Sequence, residues 1–273
     1  MPTLFDFSNY DQLIPLVTNS LIAGALLALI GGLVGVFVMT RDMSFAVHGI
    51  SELSFAGAAI ALLLGLNVVA GSVVGSLAAA LIIGLLGAKA KERNSIVAVL
   101  MPAGLGVGIL ALSLYEGRAA NKFGLLTGQI VAVDDPQLIW LIAICAVVLL
   151  TLAVVWRPLS FASLDAEVAA ARGVPTRALS IVFMLVLGLS VAASIQVVGA
   201  LLVLSLLVTP AAAALRVSSS QILVPVLSVI FALVAVLGGI LLALGGGLPI
   251  SPYVTTISFL IYLICRLIER VRK

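Results

Sequence analysis

Between residues 14 and 268, apolar stretches of about twenty residues follow one another, separated by short clusters of charge, glycine and proline. Inside a bilayer every backbone polar group must be satisfied within the segment, which favours helices. A crossing takes about twenty residues, because a helix rises about 1.5 Å per residue and the hydrocarbon layer is about 30 Å thick. Nine stretches meet that length: 14–39, 45–65, 68–88, 95–115, 137–156, 177–194, 196–215, 221–244 and 251–268. Of the 273 residues, 63% are hydrophobic and 9% charged, against about 25% charge in soluble domains. No stretch is polar enough for a large soluble domain. Residues 1–273 are therefore expected to form one all-α polytopic membrane domain of about nine transmembrane helices. Eight stays open, because stretches 177–194 and 196–215 are joined by almost nothing and fit a hairpin of short helices.

Basic residues orient the chain, since cytoplasmic loops collect Lys and Arg. With the N-terminus outside, the cytoplasmic segments hold Arg41, Lys89, Lys91, Arg93, Arg157, Arg172, Arg177, Arg216, Arg266, Arg270, Arg272 and Lys273, twelve of the fourteen basic residues. Only Arg118 and Lys122 fall outside. The C-terminus is then cytoplasmic, and the split favours an odd number of crossings. The first twelve residues carry no Lys or Arg, lack the n-region of a secretory signal and read as mature sequence. Cys145 and Cys265 lie in separate apolar runs and read as core residues.

One span carries a chemical anomaly. His48, the single histidine, stands four residues before Glu52 in an otherwise apolar stretch, and i,i+4 spacing places both on one helix face. A charged side chain at the bilayer centre costs about 2.5–3.5 kcal/mol on insertion scales. Glu52 lies about ten residues, or about 15 Å, from the cytoplasmic end of its span. Imidazole and carboxylate together suit divalent zinc, manganese or ferrous iron. A buried His–Glu hydrogen bond, a transient metal contact or gate, and a proton relay remain alternative readings. Two ligands are too few for a resident cage, but a homodimer would bring the pair together twice. Ser51, Ser54, Ser205 and Thr209 are further oxygen donors or packing residues.

Glycines at Gly31/Gly35 and Gly104/Gly108 have the spacing of close helix packing. Pro210 removes a backbone donor and frees the carbonyl of Leu206, so Thr209 and Pro210 mark a candidate gate or kink. Outside the membrane, residues 116–136 connect two spans and include Glu116, Asp134 and Asp135, with an apolar middle, 123–133, suited to a short surface helix. Residues 245–252 read as an external turn. The longest cytoplasmic loop, 157–176, encodes a helix of about two turns. Ser163 or Asp165 caps it, Glu167 complements its N-terminus, and Gly173 with Pro175 ends it. Such a helix is too short to stand alone and must dock, either on lipid headgroups or on an ATPase subunit.

Several stretches, taken in order, resemble the permease subunits of ATP-binding-cassette importers of manganese, zinc and iron. They are Met43-Ser44-Phe45, the Ser51 to Gly57 frame, the 127–133 segment, Val198-Gly199-Ala200-Leu201-Leu202, Leu207-Val208-Thr209-Pro210-Ala211-Ala212, and Asp165-x-x-x-Ala169-x-x-x-Gly173-Val174. The resemblance implies that Asp165, Glu167, Ala169 and Gly173 couple the chain to an ATPase. It also implies that His48 and Glu52 meet the metal, with their order exchanged relative to the Asp-then-His usual in these permeases. Implied partners are ABC ATPase subunits, an extracytoplasmic metal-binding protein and a second copy, all at a bacterial inner or plasma membrane and in contact with its lipid. The cargo is a divalent metal ion, with no permanently bound cofactor.

The chain has no Gly-x-x-x-x-Gly-Lys-[Ser/Thr] loop and no nucleophile–base set, so an enzyme is not expected. The net charge of +3 comes from loop ends rather than a clustered basic face, so nucleic acid is not an expected partner. The alternative function is a secondary transporter using His48/Glu52 as a proton- or cation-coupled site. Such folds often carry internal repeats, and none is evident.

Overall fold

A computed structural model describes residues 14–87, 90–117, 125, 133–199, 203–246 and 250–272. Its elements are a 3-10 turn, Ile14–Val17, then α1 (Thr18–Thr40), α2 (Ser44–Leu63), α3 (Val68–Leu86), α4 (Ala90–Leu114), α5 (Asp135–Leu164), α6 (Ala166–Ala171), α7 (Thr176–Val198), α8 (Val203–Leu207), α9 (Thr209–Val217), α10 (Leu223–Gly246) and α11 (Ile250–Arg272). The fold is all-α. Among the described residues, eight helices are long and apolar enough to cross a membrane.

The count differs from nine at one place. The stretch 196–215, expected as the seventh span, is broken: α7 runs through Val198, and Val203–Val217 is a shorter apolar segment split in two. Its fifteen residues reach about 22 Å, short of the hydrocarbon thickness. The causes are local. Gly199, at φ +86°, ends α7, and Pro210, in the first turn of α9, cannot donate to the Leu206 carbonyl, so the helix breaks at Val208. That carbonyl faces α1, where a methyl on Gly31 would come within 3.3 Å of it. One turn on, a methyl on Gly35 would collide with the Leu207 carbonyl. The Gly31/Gly35 pair thus admits the broken segment against α1.

Lipid offers no hydrophobic drive between helices, so close packing of small residues does that work. α1 occupies the middle of the bundle, against α5, α7, α8, α9 and α10. A methyl on Gly32 would lie 2.7 Å from Val229 Cα, and Ser228 donates 2.8 Å to the Gly32 carbonyl. α2 is gripped between α3 and α4. Gly57, Gly71 and Gly75 bring the α2 and α3 backbones together, and the Ser54 hydroxyl bonds both the hydroxyl and the carbonyl of Ser72, at 2.8 and 2.9 Å. Gly104 and Gly108 meet α2 at Glu52–Leu53 and Phe55–Ala56. Cys145 and Cys265 are buried and free.

α5 is longer than its apolar stretch predicts. Its 30 residues span about 45 Å, about 15 Å more than the hydrocarbon thickness, and α6 follows directly on its C-terminal end. At the other end, Asp134 caps α5 through the Gln137 N–H, and Asp135 accepts 2.8 Å from Asn19. These two acids of the 116–136 connection are therefore structural. The expected 123–133 helix and the 127–133 motif lie almost wholly outside the described residues, as do positions 247–249 of the 245–252 turn.

Candidate functional site

The α1–α2 elbow sets the start of the chemically unusual span. Asp42 takes φ +53°, a left-handed conformation that Asp tolerates better than most residues. Met43 is buried and its N–H bonds the Val38 carbonyl at 2.8 Å. From α4, the buried Arg93 donates through Nη2 to the carbonyls of Arg41 and Asp42, at 3.3 and 2.9 Å. Arg93 was legible only as a loop charge; instead it clamps the elbow. Arg41 lies over the Phe183 ring, 5.6 Å from its centroid, with Nη1 3.5 Å from Ser163 Oγ. Burial, then the neighbouring Arg93 charge, pulls the Arg41 pKa below the ordinary arginine value.

Eight residues beyond Ser44, about 12 Å up the helix, Glu52 is buried. Its side chain is 8% exposed, whereas that of His48 is 35% exposed. His48 Nδ1 lies 3.8 Å from Glu52 Oε1, which is too long for a hydrogen bond. Both belong to α2, so the pair does not tie two helices together. Phe45, which precedes His48 on the same face, is exposed, so that face of α2 is open at its start, whereas Phe55, Ala56 and Ala59 beyond Glu52 are buried. Behind Glu52, a methyl on Gly104 would lie 3.0 Å from its carbonyl carbon and 2.7 Å from Leu53 Cδ1. α4 thus fixes the depth and rotation of the carboxylate.

Among the described residues, no group of three or more His, Cys, Asp or Glu is placed to hold a metal ion. Of the accessory hydroxyls, Ser54 is committed to Ser72. Ser51 and Ser205 are buried, and the Ser205 carbonyl accepts from Ser258 at 3.3 Å. Thr209 is half-buried at the start of α9, beside Pro210, and α8 packs against α2. The helix break therefore lies next to the helix that bears the pair.

The short helix forms as its caps dictate. Asp165 accepts from the N–H groups of Glu167 and Val168, at 3.0 and 2.9 Å. Gly173, at φ +82°, donates to the Ala170 carbonyl, and Val174 donates to that of Ala169, both at 3.0 Å. Those paired bonds are the Schellman ending, which needs a left-handed residue at the glycine. Ala169 is fully buried against Ala162 and Leu179. Glu167 is exposed, and the apolar side chains of Leu164 and Val168 also face outward. Docked inward by one alanine, α6 offers its other side to an external surface.

The family model described as the ABC 3 transport family matches residues 13–269. The manganese transport system membrane protein MntC of Halalkalibacterium halodurans is 28% identical over 234 residues, 85% of this chain and 80% of that protein. The high-affinity zinc uptake system membrane protein ZnuB of Haemophilus influenzae is 26% identical over 225 residues, 82% of this chain and 86% of that protein. The solved structure of PsaBC from Streptococcus pneumoniae in complex with Fab superposes with a TM-score of 0.86 at 24% identity, covering 98% of this chain and 100% of that one. That last likeness concerns the fold.

Proposed function

The chain belongs to the ABC 3 transport family, and on that premise we propose that it is the membrane permease subunit of an ATP-driven importer of a divalent metal ion. The observation that carries the proposal is the intramembrane His48–Glu52 pair on α2 of a chain whose relatives are named for manganese and zinc transport. Family membership favours ATP-driven import over the secondary-transporter reading. ATP would be hydrolysed by a separate ATPase subunit, and a metal-binding protein would deliver the ion from outside a bacterial inner membrane.

In this account the ion passes along the open face of α2. Glu52 and His48 give it one oxygen and one nitrogen ligand, and a second copy doubles the set around a two-fold axis. A conduit gains from so sparse a site, because it must release what it accepts. The broken α8–α9 segment serves as the ninth crossing, restoring the odd number that the 12:2 charge split favours. α5 then projects into the cytoplasm and α6 meets the ATPase, through Glu167 and Val168 on its outward side and Leu164 at the end of α5. Thr209 and Pro210 form the hinge where the broken helix adjusts. Discontinuous helices beside a transport site recur in membrane transporters, where their free backbone ends hold substrate or ions.

The test is metal uptake in cells expressing the full transporter, with the radioactive ion supplied as manganese, zinc or ferrous iron. Import that requires ATP and one of these ions supports the proposal. Accumulation that persists without ATP but follows the proton gradient overturns it in favour of a secondary transporter.

A further inference from the structure

On the side of the bundle that carries α6, the ends of α1 and α5 and the α9–α10 connection enclose a crevice of about 250 Å³. α5 and α10 both flank α1 but have little direct contact with each other, which leaves the gap. Its floor is apolar, built on Phe37, Trp156 and Val224, with the Phe37 and Trp156 rings edge to face at 4.8 Å. Its rim is hydroxylic, from Ser160, Ser163 and the Ser218 to Ser220 run. The outward side chains of Leu150 and Val154 on α5, and of Val226 and Ile230 on α10, are exposed. The crevice therefore continues the apolar surface that the bundle turns to lipid, at the depth where helices end and headgroups begin.

Its surroundings are positively charged. Of the wall residues, Thr40, Trp156 and Leu215 are each followed in sequence by an arginine (Arg41, Arg157 and Arg216) and Leu164 by an acid, Asp165, whose carboxylate is taken up in capping α6. Arg41 sits behind Ser163, 3.5 Å from its hydroxyl. The Arg41 guanidinium also lies over the Phe183 ring, so its charge is held in place behind that serine. Arg216 is held by Glu269 at 3.4 Å, while Arg157, next to the wall residue Trp156, is exposed. Apolar floor, hydroxyl rim and excess positive charge match, in that order, an acyl chain, a glycerol backbone and a phosphate. Basic pockets between helices at a membrane surface take anionic headgroups.

We propose that this crevice binds an anionic phospholipid of the adjoining leaflet, its phosphate among the serines and arginines and one acyl chain over Phe37 and Trp156. A zwitterionic lipid would bring its own cation to the arginines and lose the preference. Each arginine near the surface is expected to contribute about fivefold. The site shares no residue with His48 and Glu52, and its readout is lipid contact rather than transport. It therefore stands or falls separately from the metal-import proposal.

Trp156 is a built-in reporter, because the only other tryptophan is Trp140. The permease–ATPase complex carrying Trp140→Phe is reconstituted into phosphatidylcholine vesicles doped with either brominated phosphatidylglycerol or brominated phosphatidylcholine. Brominated phosphatidylglycerol is expected to quench Trp156 at a mole fraction at least about fivefold lower. Arg157→Gln should reduce that preference by about fivefold, and Ser160→Phe, which fills the crevice, should remove it. Equal quenching by the two lipids overturns the proposal, as does a preference untouched by both variants. Quenching present in the permease alone but abolished in the complex assigns the crevice to the ATPase and also overturns it.

Discussion

His48 Nδ1 and Glu52 Oε1 face each other across 3.8 Å on one side of α2. That gap is too wide for a hydrogen bond. It is within the span that two metal bonds of about 2.0–2.2 Å can bridge. The two groups are also unequally accessible: the imidazole is partly open and the carboxylate buried. An ion imported from outside would come first to Glu52 and then to His48, which stands one turn nearer the start of α2, and one copy alone could hold it only weakly.

The position of Glu52 depends on a glycine in the neighbouring helix. Gly104→Val would drive side-chain carbon into Leu53 and the Glu52 backbone. Overpacking of this kind costs about 1–3 kcal/mol. The expected outcome is a lower midpoint in thermal unfolding of the detergent-purified protein, with metal uptake lost more completely than membrane abundance. Gly106→Val, one helix face away with open space around it, should leave both unchanged.

The ending of α6 gives a prediction with a built-in control. Gly173 is left-handed, a conformation that costs other L-residues about 1–2 kcal/mol. Gly173→Ala should loosen α6, reduce co-purification of the ATPase and raise the ATP hydrolysed per ion imported. Gly173→Asn should be milder, because Asn accepts this conformation more readily. Equal, normal behaviour of both variants would remove α6 from coupling.

The elbow clamp is tested at Arg93. Arg93→Met leaves the carbonyls of Arg41 and Asp42 without their donor, at a cost of about 1–3 kcal/mol for a buried group. Lower stability and uptake are expected, with Arg93→Lys recovering part of each because an ammonium group can still donate to the carbonyls, without the guanidinium's fixed fork. Uptake and unfolding midpoint measured on the same preparations decide it.

The Ser54–Ser72 clasp joins α2 to α3. Interhelical hydrogen bonds in membranes contribute about 0.6–2 kcal/mol. Ser54→Ala should therefore lower unfolding stability slightly while leaving uptake near wild type, since this hydroxyl is turned toward α3 rather than toward an ion.

Much of this was readable before any coordinates. Hydropathy located the eight long helices, because length and apolarity are all a bilayer demands, but it ended α5 at residue 156, eight residues short of Leu164. The caps of α6 were legible because Asp165 and Gly173 act on neighbours two to four residues away. The broken span was half visible: Pro210 signalled it, but composition alone made 196–215 look continuous. What sequence could not give were long-range pairings. Arg93 reads as a loop cation until α4 is seen to start at Ala90 and pack on the elbow. Asp135 reads as a solvated acid until Asn19 is found beside it. The His48–Glu52 spacing was plain, whereas its unequal burial depends on how α3, α4, α7 and α8 surround α2.

The most direct test is uptake of radioactive manganese, zinc and ferrous iron by cells whose transporter carries Glu52→Gln, with ATPase co-purification and membrane abundance measured in parallel. The account predicts an assembled complex at normal abundance that imports none of the three ions above the background of cells lacking the chain. Normal import of any of them by that assembled variant would contradict it.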